Sequence, residues 1–202
     1  MNAGGPDSDP DTGSDRARRR IGGAVLVTGN PNKVREAQRL CGFPVEHADI
    51  ELPEIQSTSL AEVAHEKART AWRRLKRPVI VEETGLELVA MNGFPGPLVK
   101  WMLDAIGADG IARTAHALGD ARAAAVSILV LHDGSSSCIG AGRTEGELVL
   151  PPRGDHGFGW DPVFRPDGEP GTYAELGDRR KDEIGHRGRA WRALFRQLSC
   201  WQ

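Results

Sequence analysis

Ala24-Val25-Leu26-Val27-Thr28-Gly29-Asn30-Pro31-Asn32-Lys33 is the stretch whose reading decides the fold class. Four apolar residues of strand type are cut off by a Thr-Gly-Asn turn. Asn30 suits a helix N-cap and Pro31 a first helical position, and Val34, Ala37, Gln38 and Cys41 continue a helical pattern. Strand, tight turn and helix in that order predict a βα unit. Working outward, residues 43–47 read as a second strand and residues 51–54 as a loop. Ser59 opens a long helix with Leu60, Val63, Ala64, Ala68, Ala71, Trp72 and Leu75 on one face. Residues 78–81 form a buried strand that ends at Glu82-Glu83-Thr84-Gly85, and residues 87–90 alternate briefly. A turn-rich loop at 92–97 precedes helices at 98–106 and 110–118. Residues 123–132 are the most strand-like, and residues 138–144 are expected to pair with them antiparallel across Asp133-Gly134-Ser135. Residues 181–198 read as a C-terminal helix, at least from His186 onward. Alternating strands and helices mean α/β. No repeat and no linker stand out, which predicts one domain over residues 24–202, with room for two lobes and a cleft.

The 202 residues are 39% hydrophobic and 27% charged, with a formal net charge of -2. That balance fits a soluble globular chain and gives no bulk attraction to nucleic acid or to a membrane. No apolar run approaches the roughly 18 residues of a membrane helix, and the N-terminus lacks the order of a signal peptide. Cys41, Cys138 and Cys200 are far apart and in no CxxC pattern, so reduced thiols in a cytoplasm are expected. Residues 1–23 are expected to be a disordered tail, because Gly, Asp, Pro and Ser followed by an arginine cluster bury little apolar area. Arg16, Arg18, Arg19 and Arg20 beside several acids read as a solvated patch rather than a nucleic-acid arm.

The chemistry-bearing residues fall into three groups. Thr28, Gly29, Asn30 and Lys33 sit between a strand and a helix N-terminus, a natural anion site to which Lys33 adds a full charge. The same residues also make a plain capped turn, and the Walker pattern is absent. Glu82 and Glu83 follow a buried strand, where α/β folds hold ligands, but adjacent residues on extended backbone point to opposite sides. Glu54 is a third loop carboxylate, and hard oxygen ligands of this kind suit magnesium. Lys67, Lys100 and Lys181 are candidate phosphate contacts on helices. Gly157-Phe158-Gly159-Trp160-Asp161-Pro162, followed by Lys181 and His186-Arg187, combines a stacking surface with a carboxylate and donors for a flat heterocycle. Trp72, Trp101 and Trp191 lie on helical patterns and are read as core or interface. Neither a Ser-His-Asp arrangement nor HExxH or Cys/His zinc spacing is present.

Taken together these segments resemble the inosine triphosphate pyrophosphatases. The match rests on Val27-Thr28-Gly29-Asn30 with Lys33, residues 50–54, Val81-Glu82-Glu83-Thr84-Gly85-Leu86, and Gly93-Phe94-Pro95-Gly96-Pro97 with Lys100-Trp101. It continues through residues 158–164 with Pro166-Asp167-Gly168, then Thr172-Tyr173-Ala174-Glu175, then Lys181 with His186-Arg187. The resemblance covers nearly all of the chain except the tail. It implies an elongated two-lobed α/β fold with a central mixed sheet, a nucleotide-binding cleft and a homodimer. It also implies magnesium-dependent hydrolysis of a purine nucleoside triphosphate such as ITP, dITP or XTP to monophosphate and pyrophosphate. Thr28 to Lys33, with Lys67 and Lys100, would hold phosphates. Glu54 and Glu83 would hold magnesium, with Glu83 and Lys67 catalytic. Thr84, Phe158, Gly159, Trp160, Asp161, Lys181, His186 and Arg187 would hold the base and its surroundings.

Three positions depart from the family pattern. Glu83 stands where Asp is usual, Gly185 where Ser is usual, and Asp182 where Asn is usual. They leave open two alternatives: a pyrophosphatase or phosphatase for a modified nucleotide, and a nucleotide-binding relative without catalysis.

Overall fold

The computed structural model describes residues 13–200. Its elements are α1 (Gly13–Gly22), β1 (Val25–Val27), α2 (Pro31–Cys41), β2 (His47–Ala48), α3 (Leu60–Leu75), β3 (Val79–Leu88), β4 (Pro95–Gly96), α4 (Val99–Ala117), β5 (Arg122–His132), β6 (Ser137–Leu148), β7 (Phe164–Pro166), α5 (Tyr173–Ile184) and α6 (His186–Cys200). The strands form one mixed sheet in the order β2-β1-β3-β5-β6-β7, with β4 paired on β3. β1 runs parallel to β2 and β3, and the other pairings are antiparallel. The chain is thus α/β, as the alternation of elements predicts, with the central mixed sheet that the resemblance implies. No helix among the described residues is long and apolar enough to cross a membrane.

Period-two alternation sorts the core. Val25, Val27, Val79, Val81 and Val130 face α3, where Ala64, Ala68 and Ala71 meet them. Leu26, Ile80, Leu129 and Leu131 face the other way, onto α1, α2 and α6. The far ends of β3 and β5 carry Leu86, Leu88, Ala123 and Ala125 into a third cluster with Ile111, Trp160, Val163, Phe164 and Tyr173. α6 lies very close to β6. A Cβ on Gly142 would stand 2.0 Å from the His186 carbonyl oxygen, and one on Gly140 would stand 2.3 Å from that of Ala190. Only glycine allows that approach, and the approach sets the position of His186 and Arg187.

The structure differs from expectation at four elements. The strand expected at 78–81 runs unbroken to Leu88, so Glu82 and Glu83 lie inside it rather than beyond its end. The second strand is only His47–Ala48. Lys181 belongs to α5, which is separated from α6 at Gly185. The expected tail is helical over Gly13–Gly22, with Ala17 and Ile21 fully buried against the face that holds Trp191, Leu194 and Leu198. Ala17 and Ile21 are spaced i,i+4, enough to make an apolar stripe among the arginines. The rest of that expectation, residues 1–12, lies outside the described residues. Truncating a fully buried Ile leaves a cavity, so Ile21→Ala is expected to cost about 2–4 kcal/mol in urea unfolding. A disordered tail would lose nothing.

Candidate active site

A cleft of about 640 Å³ is lined by residues from the β1–α2 turn through to α6 that the sequence singled out as phosphate, metal and base contacts. Thr28, Gly29 and Asn30 come from the β1–α2 turn, Lys33 from the first turn of α2, Glu54 from the loop before α3, Lys67 from α3, and Glu83 and Thr84 from β3. Lys100 comes from α4, Phe158, Gly159, Trp160 and Asp161 from the loop before β7, Lys181 from α5, and His186 and Arg187 from the start of α6. Val99 and Leu103 supply apolar wall that the sequence did not single out.

The turn is built as its sequence implies. Asn30 caps α2, its Oδ1 accepting the Asn32 N–H at 2.9 Å, and its own N–H donates to Thr28 Oγ1 at 3.1 Å. Lys33 reaches back and donates to the Glu82 carbonyl oxygen at 2.9 Å. The strand alternation that sorts the core also separates the two acids. Glu83 shares the side of Val79 and Val81 and meets Lys67 of α3, with Oε1 2.7 Å from Nζ. Glu82 and Thr84 fall on the opposite side and meet Arg187 of α6.

Behind the cleft lies a network of buried charges. Arg187 donates from Nε to Glu82 Oε1 at 2.6 Å, from Nη1 to Glu36, and from Nη2 to Thr84 Oγ1 at 3.3 Å. Lys181 donates to Asp161 Oδ2 at 2.7 Å and to Glu36 Oε1 at 3.1 Å. Asp161 also accepts the Phe158 N–H at 2.7 Å. Glu36, Glu82, Asp161, Lys181 and Arg187 are each at most 5% exposed. Burial pushes the Glu36 carboxyl up, but the Arg187 and Lys181 charges outweigh it and hold it below the ordinary carboxylate value. Burial likewise pulls the Arg187 guanidinium down, and Glu82 and Glu36 more than reverse it. Lys181 and Arg187 are therefore not free cations awaiting a ligand. They lie beneath the Phe158 ring, 5.0 and 5.5 Å from its centroid.

Glu36 was missed in the sequence. It sits three residues after Lys33, among Val34 and Ala37 of the buried face of α2. A charged residue at a buried position of an amphipathic helix was the available signal.

His186 is buried between rings, 5.4 Å from Trp160 and 5.8 Å from Tyr173, and neither ring nitrogen has a hydrogen-bond partner. Burial, then the nearby Arg187 and Lys181 charges, push its pKa well below the ordinary histidine value. The imidazole is neutral. Lys100, by contrast, is largely exposed and lies 4.0 Å from Asp104 on the cleft edge. The departing positions sort differently. Asp182 points away to Arg39, accepting at 2.8 and 3.2 Å. A Cβ on Gly185 would stand 2.4 Å from the Lys181 carbonyl oxygen, so this junction has no room for a side chain and its glycine does not enlarge the cleft. Only Glu83 alters the cleft lining itself.

Glu83 and Glu54 fit a hard divalent cation. Glu83 Oε1 is buried against the Lys67 ammonium, and the Glu54 carboxylate meets the same ammonium. Burial pulls the Lys67 pKa down, but Glu83 and Glu54 raise it above the ordinary lysine value. Among the described residues no cluster of three or more His, Cys, Asp or Glu surrounds the pair. Magnesium commonly takes one or two protein carboxylates and fills its remaining positions with water and phosphate oxygen.

A sequence model described as the Ham1 family matches residues 24–197. The chain belongs to the Ham1 family. This Ham1 chain is 41% identical over 170 residues to an inosine triphosphate pyrophosphatase of Batrachochytrium dendrobatidis, covering 82% of this chain and 88% of the relative. It is 39% identical over 170 residues to a dITP/XTP pyrophosphatase of Methanopyrus kandleri, covering 82% and 90%. Among solved structures, a HAM1 protein from Coxiella burnetii superposes with a TM-score of 0.74 at 29% identity, covering 87% of this chain and 98% of that one. A nucleoside-triphosphatase, or dITP/XTP pyrophosphatase, from Mycobacterium abscessus gives 0.66 at 30% identity, covering 85% and 98%.

The state of His186 carries a pH prediction. The unfolded chain protonates this imidazole near pH 6.5, and the folded Ham1 chain does not. Stability is therefore full above that pH and falls below it by up to about 1.4 kcal/mol per pH unit from this group alone. Urea unfolding between pH 7.5 and 5.5 is expected to show a shallower acid loss for His186→Phe than for the unsubstituted protein. Parallel curves would mean that His186 takes up its proton in the folded state.

Proposed function

We propose that this protein hydrolyses non-canonical purine nucleoside triphosphates, ITP, dITP and XTP, to the monophosphate and pyrophosphate. The observation that carries this reading is the meeting, in one cleft, of a strand–turn–helix anion cradle, lysines, a buried carboxylate and an aromatic platform. The names of the relatives agree with it. The β1–α2 turn, Lys33, Lys67 and Lys100 bind the triphosphate. Phe158 stacks the base, its underside set by Lys181 and Arg187. His186, neutral and unpartnered, offers an N–H to the 6-oxo group of hypoxanthine or xanthine. Adenine places an amino group there and leaves that donor unpaired, which is a strong basis for rejection. Glu83 orients water towards the α-phosphorus and accepts its proton. The lysines stabilise the leaving pyrophosphate. Glu54 and Glu83 would hold magnesium, which when bound neutralises charge on the phosphate oxygens.

Two further properties belong to this reading. The described cysteines are free, and burial raises the Cys41 thiol to about 12, which suits a reducing cytoplasm. Phe94, Leu98, Trp101 and Met102 line an apolar groove of about 850 Å³, and Trp101 is 64% exposed. We assign that face to a second copy of the chain, as the family resemblance implies. Light scattering is then expected to give twice the 21.8 kDa chain mass, and Trp101→Glu to shift the protein to monomer.

Pyrophosphate release with magnesium across ITP, dITP, XTP, GTP and ATP tests the activity. ITP and XTP are expected to exceed ATP by at least about a hundredfold. Glu83→Gln is expected to lower kcat by about 100-fold or more. Release of orthophosphate instead, or equal turnover of all purines, would refute the assignment.

A further inference from the structure

Lys67 holds both carboxylates assigned above to the metal. Its Nζ lies 2.7 Å from Glu83 Oε1 and also donates to Glu54 Oε1 in a closer ion pair. Lys67 donates to Glu54 Oε1, and its ammonium also stands at charge-assisted hydrogen-bond distance in front of the buried Glu83 Oε1. Glu83 is fixed in the middle of β3, while Glu54 lies on a stretch without regular secondary structure, with its side chain 51% exposed. Lys67 is fixed at its backbone in the middle of α3.

One ammonium against two carboxylates leaves a net charge of -1, and a divalent cation between the same acids would face the ammonium at close range. Two cations a few ångströms apart repel by several kcal/mol in a partly desolvated site. Lys67 must therefore leave the acids before a metal takes them, and the cleft offers it a destination only when an anion is present. A phosphate group entering beside the β1–α2 turn would supply that anion.

We propose that Lys67 is an internal placeholder cation that keeps the Glu54–Glu83 pair closed to divalent metal until a phosphate-bearing ligand draws the ammonium away. This rests on the reading of Glu54 and Glu83 as the metal-holding acids. It makes metal and nucleotide binding mutually dependent by charge alone. It also gives the irregular stretch around Glu54 a purpose, since that stretch must re-form around a different cation.

The test is direct binding of Mn²⁺ to the nucleotide-free full-length protein, followed by calorimetry and by the paramagnetic signal of free Mn²⁺. Lys67→Met is expected to tighten Mn²⁺ binding at least tenfold, and adding Glu83→Gln in that background is expected to abolish the gain. Lys67→Arg, which keeps the charge, is expected to bind as weakly as the unsubstituted protein and controls for disturbance of α3. If the unsubstituted protein and Lys67→Met bind Mn²⁺ equally tightly and both lose it on Glu83→Gln, the acids hold metal but the placeholder inference falls. If Mn²⁺ binding does not depend on Glu83 in either background, the metal assignment falls and the inference with it.

Discussion

Three buried carboxylates and two buried cations must find one another for this chain to fold as it does. Glu36 comes from α2, Glu82 from the centre of β3, Asp161 from the loop before β7, Lys181 from α5 and Arg187 from α6. Each ion pair of the network joins residues at least 20 apart in sequence. Each group left alone would be a desolvated charge costing several kcal/mol, so the elements are bound to a single relative placement. The network also sets the base side of the cleft. Phe158 rests on its cations, Thr84 is held by Arg187, and His186 is carried on the same turn of α6. Fold and site share one electrostatic constraint.

The division of labour between the two adjacent glutamates follows from strand geometry. Alternation sends Glu82 into the network and Glu83 towards Lys67. Glu82 is held by Arg187 and Thr84, while Glu83 meets the Lys67 ammonium that it shares with Glu54. The first arrangement is structural, with two donors fixed on Glu82 Oε1 and its Oε2 buried without a partner. The second is open and suited to exchange of partners. Glu83 carries one more methylene than the usual Asp at this place, and its carboxylate still reaches the lysine.

Much of this was legible in the sequence because it is local. The β1–α2 turn announces itself through strand-type residues, a capping Asn and a Pro at the first helical position. The hairpin of β5 and β6 follows from an apolar run and an Asp-Gly-Ser turn. The opposed directions of Glu82 and Glu83 follow from period two. What escaped depends on partners far along the chain. The continuation of β3 past two acids was hidden because adjacent charges ordinarily end an apolar run, and their burial is possible only through Arg187 and Lys67. Glu36 escaped because a lone glutamate in a helix is ordinarily solvated, and the two cations that bury it lie 145 and 151 residues away. α1 escaped because Ala17 and Ile21 are too few apolar residues to signal burial without sight of α6. The resemblance assigned Lys181 and Arg187 to the base and its surroundings but gave no sign that both pair with buried carboxylates behind the cleft.

The measurement that bears most directly on this account is the unfolding free energy of Glu36→Gln by urea at neutral pH. Glutamine preserves size but removes the charge shared by Lys181 and Arg187 and replaces one of the two accepting oxygens with an NH2 donor. If the buried network sets the placement of α2, α5 and α6, the variant loses about 3–5 kcal/mol, the cost of breaking a buried ion pair from one side. A loss below about 0.5 kcal/mol, the size of an ordinary surface substitution, would contradict the account.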